Sequence, residues 1–148
     1  VLVFLDGDYA DVPACLSRVV VPILRGDADL VLGSRVLGRL EQGAIPPHQR
    51  FGNRIATLLI LLLYRRRLSD VGSFRAIRRD RLEELDMRHP TFGWPVEMVV
   101  KALRRGYRVV EVPVDYRRRI GQAKVGGTLK GSLLAGYHMI RTITRYAL

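Results

Sequence analysis

The sequence predicts an α/β fold, with a mixed, mostly parallel sheet flanked by helices. Residues 1–5 and 30–32 are short continuous apolar runs, the pattern of parallel strands buried on both faces, and a helical segment separates them. Each run ends in groups suited to ligands, Asp6-Gly7-Asp8 and Gly33-Ser34-Arg35, as expected where parallel strands end at a binding crevice.

The elements follow in order. After the first strand, Asp11 is placed as an N-cap and Pro13 in the first turn, so a helix runs to Leu24 and stops at Gly26. Residues 29–33 form the second strand and complete a parallel strand–helix–strand unit. Residues 36–49 carry Gly38, Gly43, Pro46 and Pro47 without periodicity, which marks a long functional loop. A helix begins near Arg50. Phe51, Ile55, Leu58, Leu59 and Leu62 share one face of it, while Asn53, Thr57 and Tyr64 lie opposite with Ile60 among them. A turn from Asp70 leads into a short strand at 74–77 and a brief helix at 80–85. Pro95 near N1 opens a helix with Val96, Val99, Val100 and Leu103 inward and Gly106 as its stop. Residues 107–116 alternate as a strand whose Pro113 marks a strand end or sheet edge. A basic, glycine-rich loop at 117–127 and a final helix at 128–146 complete the chain.

Composition bounds the function. With 148 residues, 48% hydrophobic, the chain suits a single domain, 1–148. A net charge of +11 implies an anionic partner, which charge alone leaves open among nucleic acid, anionic lipid and phosphorylated substrate. The single Cys15 excludes an internal disulfide and reads as an apolar filler, and His48, His89 and His138 lack metal-ligand spacing. The start of the chain does not read as a signal peptide, and the longest apolar run, 55–64, falls short of the ~20 residues of a spanning helix.

Two carboxylates around a glycine, just past a buried strand, suit Mg²⁺ or Mn²⁺ on a diphosphate, because hard cations prefer carboxylate oxygen and glycine admits close backbone approach. A polar turn is the alternative for D-G-D in isolation. Its company makes the pattern specific. Phe4-Leu5-Asp6-Gly7-Asp8, Gly33-Ser34-Arg35, Arg50 with Asn53, Asp70-Val71-Gly72-Ser73-Phe74-Arg75-Ala76, Trp94 with Glu97, Glu111-Val112-Pro113-Val114, and Arg119-Ile120-Gly121-Gln122-Ala123-Lys124 appear in that order. Together they resemble family 2 glycosyltransferases of the GT-A fold, in the polyprenyl-phosphate mannose and glucose synthase branch. The chain departs from that pattern in lacking a glycine between Ser73 and Phe74, in Ala123 before Lys124, and in the family's N-terminal nucleotide-binding βαβ portion. The resemblance therefore implies a partial GT-A fold, truncated at the N-terminus and inactive as this segment alone.

The resemblance implies roles residue by residue. Asp6 and Asp8 hold the metal on the diphosphate of a nucleotide sugar, with Arg119 and Lys124 on the same diphosphate. Arg35 and Arg50 hold the phosphate of a polyprenyl-phosphate acceptor. Asp70 stands beside the reacting sugar, as general base for a hydroxyl acceptor or as a positioning group for a phosphate acceptor, and Glu97 is a second catalytic candidate. Each has a structural alternative: a strand-end ion pair for Arg35, a surface charge for Arg50, a turn residue for Asp70 and a helix-stabilising pair with Lys101 for Glu97. The expected location is cytoplasmic or peripheral on the cytoplasmic membrane face; the helix over 55–63, with Ile60 on its otherwise polar side and basic residues at both ends, is a membrane-contact candidate, with a well-buried core helix as its alternative. Beside an inactive truncated product, a basic nucleic-acid-binding module is the competing class. It finds no aromatic platform, zinc-finger spacing or helix-turn-helix pattern, so no nucleic acid is expected as partner.

Overall fold

The computed structural model describes residues 1–90, 93–121 and 129–147. The strands are β1 (Leu2–Phe4), β2 (Leu30–Ser34), β3 (Arg75–Ile77) and β4 (Val109–Pro113). The helices are α1 (Leu16–Leu24, preceded by a 3₁₀ turn at Pro13–Cys15), α2 (Pro47–Tyr64), α3 (Arg79–Glu84), α4 (Trp94–Arg104) and α5 (Leu129–Arg145). Gly26 and Gly106, at φ +76° and +70°, end α1 and α4 in the left-handed region that favours glycine.

One sheet of four strands runs in the order β1-β3-β2-β4. β2 and β4 are parallel, with Leu30 opposite Val109 and Ser34 opposite Pro113, and β3 is antiparallel to both β1 and β2. Three of the four strands thus share a direction, as expected of a mixed, mostly parallel sheet. The first two strands are nevertheless not neighbours, because β3 lies between them. β1 is an edge strand, exposed at Leu2, rather than a strand covered on both faces. Pro113 closes β4 on the opposite edge, where a missing N–H costs least.

The sheet is covered on both sides. Leu30 and Leu32 pack with Ala56 and Ile60 of α2, Val99 of α4 and Ile143 of α5, while Val31 points to Val19 and Ile23 of α1. This double coverage explains why β2 is apolar at successive positions. Cys15 is buried and free beside α1, as a filler should be.

Two local expectations are overturned. Asp11 caps no helix; its carboxylate is turned inward to the two turns described below. The amphipathic reading of α2 is turned round: Phe51, Leu58 and Leu62 of its periodic apolar face are 65%, 54% and 65% exposed, Leu59 packs at the edge of the core, and Ile60, among the polar residues of the other side, is fully buried. Burying Ile60 contributes roughly 1.5–3 kcal/mol, and Asn53 on the same inner side bonds the 69–71 turn. Together they set the rotation of the helix.

The loop expected over 36–49 ends at residue 46, before α2 begins at Pro47, and is held to the end of β4. Tyr116 N donates to Arg39 O at 2.9 Å and Glu41 N to Tyr116 O at 3.0 Å, over a buried Tyr116 ring.

Candidate active site

β1 delivers Asp6, Gly7 and Asp8 to a tight turn in which Tyr9 takes φ +73°, a rare conformation for a non-glycine residue. Asp8 Oδ1 accepts from Ala10 N at 3.0 Å, and its Oδ2 pairs with Arg119 Nη2 at 3.1 Å. The start of the basic loop lies across the turn, with Arg117 N donating to Ala10 O, Ile120 N to Asp8 O, and Arg117 Nη1 to the Tyr9 hydroxyl. The structure thus brings Arg119 to Asp8 as an ion pair; Lys124 lies outside the described residues.

Beneath the turn, Asp11 Oδ2 accepts from Asp6 N at 2.8 Å and from Ser73 Oγ at 3.0 Å. Asp11 is 3% exposed, its Oδ1 has no hydrogen-bond partner, and burial raises its pKa against the effect of those two donors. It clasps the D-G-D turn to the 70–75 turn.

That second turn gathers four distant segments. Asp70 is buried and takes three hydrogen bonds from Arg35: Nε at 2.7 Å, Nη2 at 2.7 Å and the backbone N at 2.9 Å. Burial alone would lower the Arg35 pKa, but the hydrogen bonds and charge of Asp70 carry it above its ordinary value. Glu111 of β4 accepts from Ser69 N, Ser69 Oγ and Asp70 N at 2.8–3.1 Å, and Ser34 Oγ meets Ser69 Oγ at 2.7 Å. Asn53 of α2 donates to Ser69 O and accepts from Val71 N. The separate sequence segments around residues 34, 53, 70 and 111 therefore form one hydrogen-bonded unit.

This unit is the floor of a cleft of about 680 Å³. Its polar lining residues are Arg35, Arg50, Asn53, Arg54, Arg67, Ser69, Asp70 and Glu111, and its apolar ones Val36, Leu37, Leu40, Ile45 and Leu68. Arg35 and Arg50 thus share a cleft with Asp70. Arg35 is already paired, whereas Arg50, Arg54 and Arg67 have no carboxylate partner among the described residues.

Arg75 links the two halves. Fully buried, it donates to the carbonyls of Gly72, Ser73 and Pro95 and feels the charges of Asp70, Asp6 and Asp11. Burial lowers its pKa to about 10, the attraction of those carboxylates notwithstanding.

Glu97 stands apart. Its fully buried carboxylate takes an ion pair from Lys101 at 2.7 Å and hydrogen bonds from Tyr146 Oη, Arg88 N and His89 N. Against the cost of burial these partners hold its pKa at about 2. It is not among the residues lining the Asp70 cleft; it fixes the 86–90 segment to α4 and α5.

Residues that sequence reasoning missed are Asp11, Arg54, Arg67, Arg75 and Glu111 in these roles. Glu111 had a signal, being a carboxylate inside an apolar alternating strand. Asp11 was legible as a helix cap, a competing use of the same side chain.

For a divalent cation, Asp6 and Asp8 provide hard oxygen donors, and the Asp6 carboxylate accepts no hydrogen bond from the described residues. Among the described residues no cluster of three or more His, Cys, Asp and Glu side chains could hold a metal on its own. Two carboxylates still fit Mg²⁺ or Mn²⁺, because such ions complete their shells with substrate phosphates and water.

The sequence model of glycosyl transferase family 2 matches residues 1–86. Low-salt glycan biosynthesis hexosyltransferase Agl6 of Haloferax volcanii is 31% identical over 120 residues, covering 80% of this chain and 28% of that protein. Uncharacterized glycosyltransferase Rv0539 of Mycobacterium tuberculosis is 32% identical over 137 residues, covering 91% and 61%. Undecaprenyl-phosphate mannosyltransferase of Micrococcus luteus is 28% identical over 153 residues, covering 100% and 60%. The chain thus spans between 28% and 61% of the length of these relatives. A family match over residues 1–86, together with the hydrogen-bonded union of its dispersed motifs around Asp70, makes the chain a member of glycosyl transferase family 2.

Proposed function

We propose that the chain builds the acceptor side and the diphosphate turn of a glycosyltransferase that moves a hexose from a nucleoside diphosphate onto a polyprenyl-type lipid phosphate. The observation that carries this reading is the cleft, lined by three arginines without carboxylate partners among the described residues and by five aliphatic side chains. Unpaired guanidinium groups suit a phosphate, and the aliphatic side chains suit the first prenyl units of its chain. The mannosyltransferase named above acts, by its name, on undecaprenyl phosphate, in keeping with such a ligand.

The chain's residues act as follows. Arg50, Arg54 and Arg67 bind the acceptor phosphate. One of its oxygens forms a bond to the anomeric carbon while the bond from that carbon to the diphosphate breaks, and the electron pair leaves on the diphosphate with inversion. A phosphate oxygen is already ionised near neutral pH, so no general base is required. Asp70, whose oxygens are engaged by Arg35, orients the site rather than removing a proton. Arg119 faces the leaving diphosphate from the loop across the D-G-D turn. A divalent ion held by Asp6 and Asp8 would supply further positive charge against the leaving group.

The test is incorporation of labelled hexose into organic-soluble product by a protein that carries this chain together with the nucleotide-binding portion, with nucleoside diphosphate hexoses as donors and polyprenyl phosphate as acceptor. Transfer that requires a divalent ion and is abolished by Asp8→Asn supports the reading. Undiminished transfer by Asp8→Asn, or transfer to free alcohols but never to lipid phosphate, overturns it.

A further inference from the structure

We infer that the cavity between the 88–90 segment and the C-terminal half of α5 is a second anion site, which takes the phosphate group of a small phosphomonoester. It is separate from the acceptor cleft, and no lining residue is common to the two.

Glu97 builds both walls of this cavity. Its carboxylate accepts from Arg88 N at 3.0 Å and His89 N at 2.8 Å on one side, and from Tyr146 Oη, directly after α5, at 2.8 Å on the other. Lys101 meets its charge at 2.7 Å, so Glu97 holds the two walls together without lending the cavity a free negative charge. Gly93 lets the walls close: a Cβ there would fall 2.4 Å from the His89 ring and 2.7 Å from Thr142 Oγ1. His89 and His138 then meet edge to face, with ring centroids 5.6 Å apart.

The cavity, of about 300 Å³, is lined by Arg88, His89, His138, Arg141 and Arg145 and by no carboxylate. His138, Arg141 and Arg145 recur at helical spacing on one face of α5. Like charges four residues apart on a helix repel, and neither Arg141 nor Arg145 has a carboxylate partner among the described residues. Arg88 spends Nε and Nη2 on Asp86 Oδ2, while its Nη1 makes no hydrogen bond among the described residues. A cation in the last turn offsets the helix dipole. That accounts for Arg145 but not for Arg88, which a separate segment carries to the same cavity.

Three guanidinium groups around a histidine pair repel a metal cation and favour an oxyanion, and the guanidinium fork matches the oxygens of a phosphate. Glu97, which does not line the acceptor cleft, thereby acquires a role as the buried support of a binding site.

Titration of the full chain with inorganic phosphate, at fixed pH and ionic strength, tests the site through the imidazole Hε1 resonances in proton NMR. The chain has three histidines, and His48, which lines neither cavity, serves as the reference. Saturable shifts of His89 and His138 with His48 unmoved are expected. The Arg141→Gln, Arg145→Gln double variant should weaken binding by about tenfold or more, with an unchanged denaturation midpoint because both residues are exposed. Arg25→Gln with Arg79→Gln removes the same charge elsewhere and should leave affinity within about twofold. The inference is overturned if His89 and His138 show no saturable shift, if the Arg141, Arg145 variant binds as the parent does, or if both double variants weaken binding equally. Phosphate taken up only by the acceptor cleft would leave His89 and His138 unmoved, so the two sites are read separately. A soluble and a lipid phosphomonoester present the same group, and glycerol 3-phosphate and monomeric dihexanoyl phosphatidic acid distinguish them. Equal binding of the two assigns a soluble ligand, and binding of the lipid tighter by about tenfold or more assigns a headgroup.

Discussion

Arg35 and Asp70 hold each other through two parallel side-chain hydrogen bonds of 2.7 Å, closed by a third from the Arg35 backbone. The Asp70 side chain has no solvent exposure and that of Arg35 has 16%. Removing the arginine would strand a buried carboxylate, so Arg35→Ala is expected to cost about 3–5 kcal/mol. Asp70→Asn with Arg35→Ala should cost less than the sum of the single changes. Chemical denaturation of the four proteins in a double-mutant cycle measures the coupling.

Glu97 gives a pH signature. Its folded pKa of about 2 lies below the ordinary 4.5, so its contribution is complete above pH 4.5 and is lost as the pH falls towards 2. The shift corresponds to roughly 3 kcal/mol. Stability of the parent should fall through that window more steeply than that of Glu97→Gln, which starts lower at neutral pH. Parallel curves would show that another group sets the acid limit.

Metal binding should compete with Arg119. Because Asp8 Oδ2 faces Arg119 Nη2 at 3.1 Å, Arg119→Gln is expected to tighten Mn²⁺ binding to the chain alone by several-fold. Asp6→Asn and Asp8→Asn should weaken it. Mn²⁺ titration followed by electron paramagnetic resonance reads this without any turnover.

The arginines without carboxylate partners should act on the acceptor. Arg54→Gln and Arg67→Gln are each expected to raise KM for lipid phosphate by about tenfold, with little change in KM for the sugar donor. Steady-state kinetics with each substrate varied in turn distinguishes this from general damage.

Gly38 is a packing test of the long loop. A Cβ there would fall 2.0 Å from Val114 O, so Gly38→Ala must displace the loop from β4 and is expected to cost about 2 kcal/mol or more. Thermal denaturation measures the loss.

Much of this was legible in the sequence. The apolar runs of β1 and β2, the glycine stops after α1 and α4, and Pro113 at a sheet edge follow from local chemistry. Strand order did not, because inserting β3 between β1 and β2 depends on pairing between residues some seventy positions apart in sequence. The rotation of α2 was hidden for a different reason. With leucine and isoleucine on several sides, periodicity identifies a helix but not its inner face, and Asn53 and Ile60 decided it through contacts outside the helix. At the site, the sequence pointed to Asp6, Asp8, Arg35 and Asp70. What lay beyond it was that Arg35 and Asp70 pair through two side-chain hydrogen bonds, which on the proposed reading leaves Arg50, Arg54 and Arg67 for the phosphate.

β1 is three residues long and, within this sheet, pairs on one side only. Short edge ladders are the first to open in native-state hydrogen exchange. The strand that delivers Asp6 and Asp8 is therefore expected to exchange its amides faster than β2, and to slow when a nucleoside diphosphate bridges the turn to the 117–121 segment. On the proposed reading, donor binding and local order of the sheet edge are one equilibrium, in which affinity for the diphosphate includes the work of closing a strand.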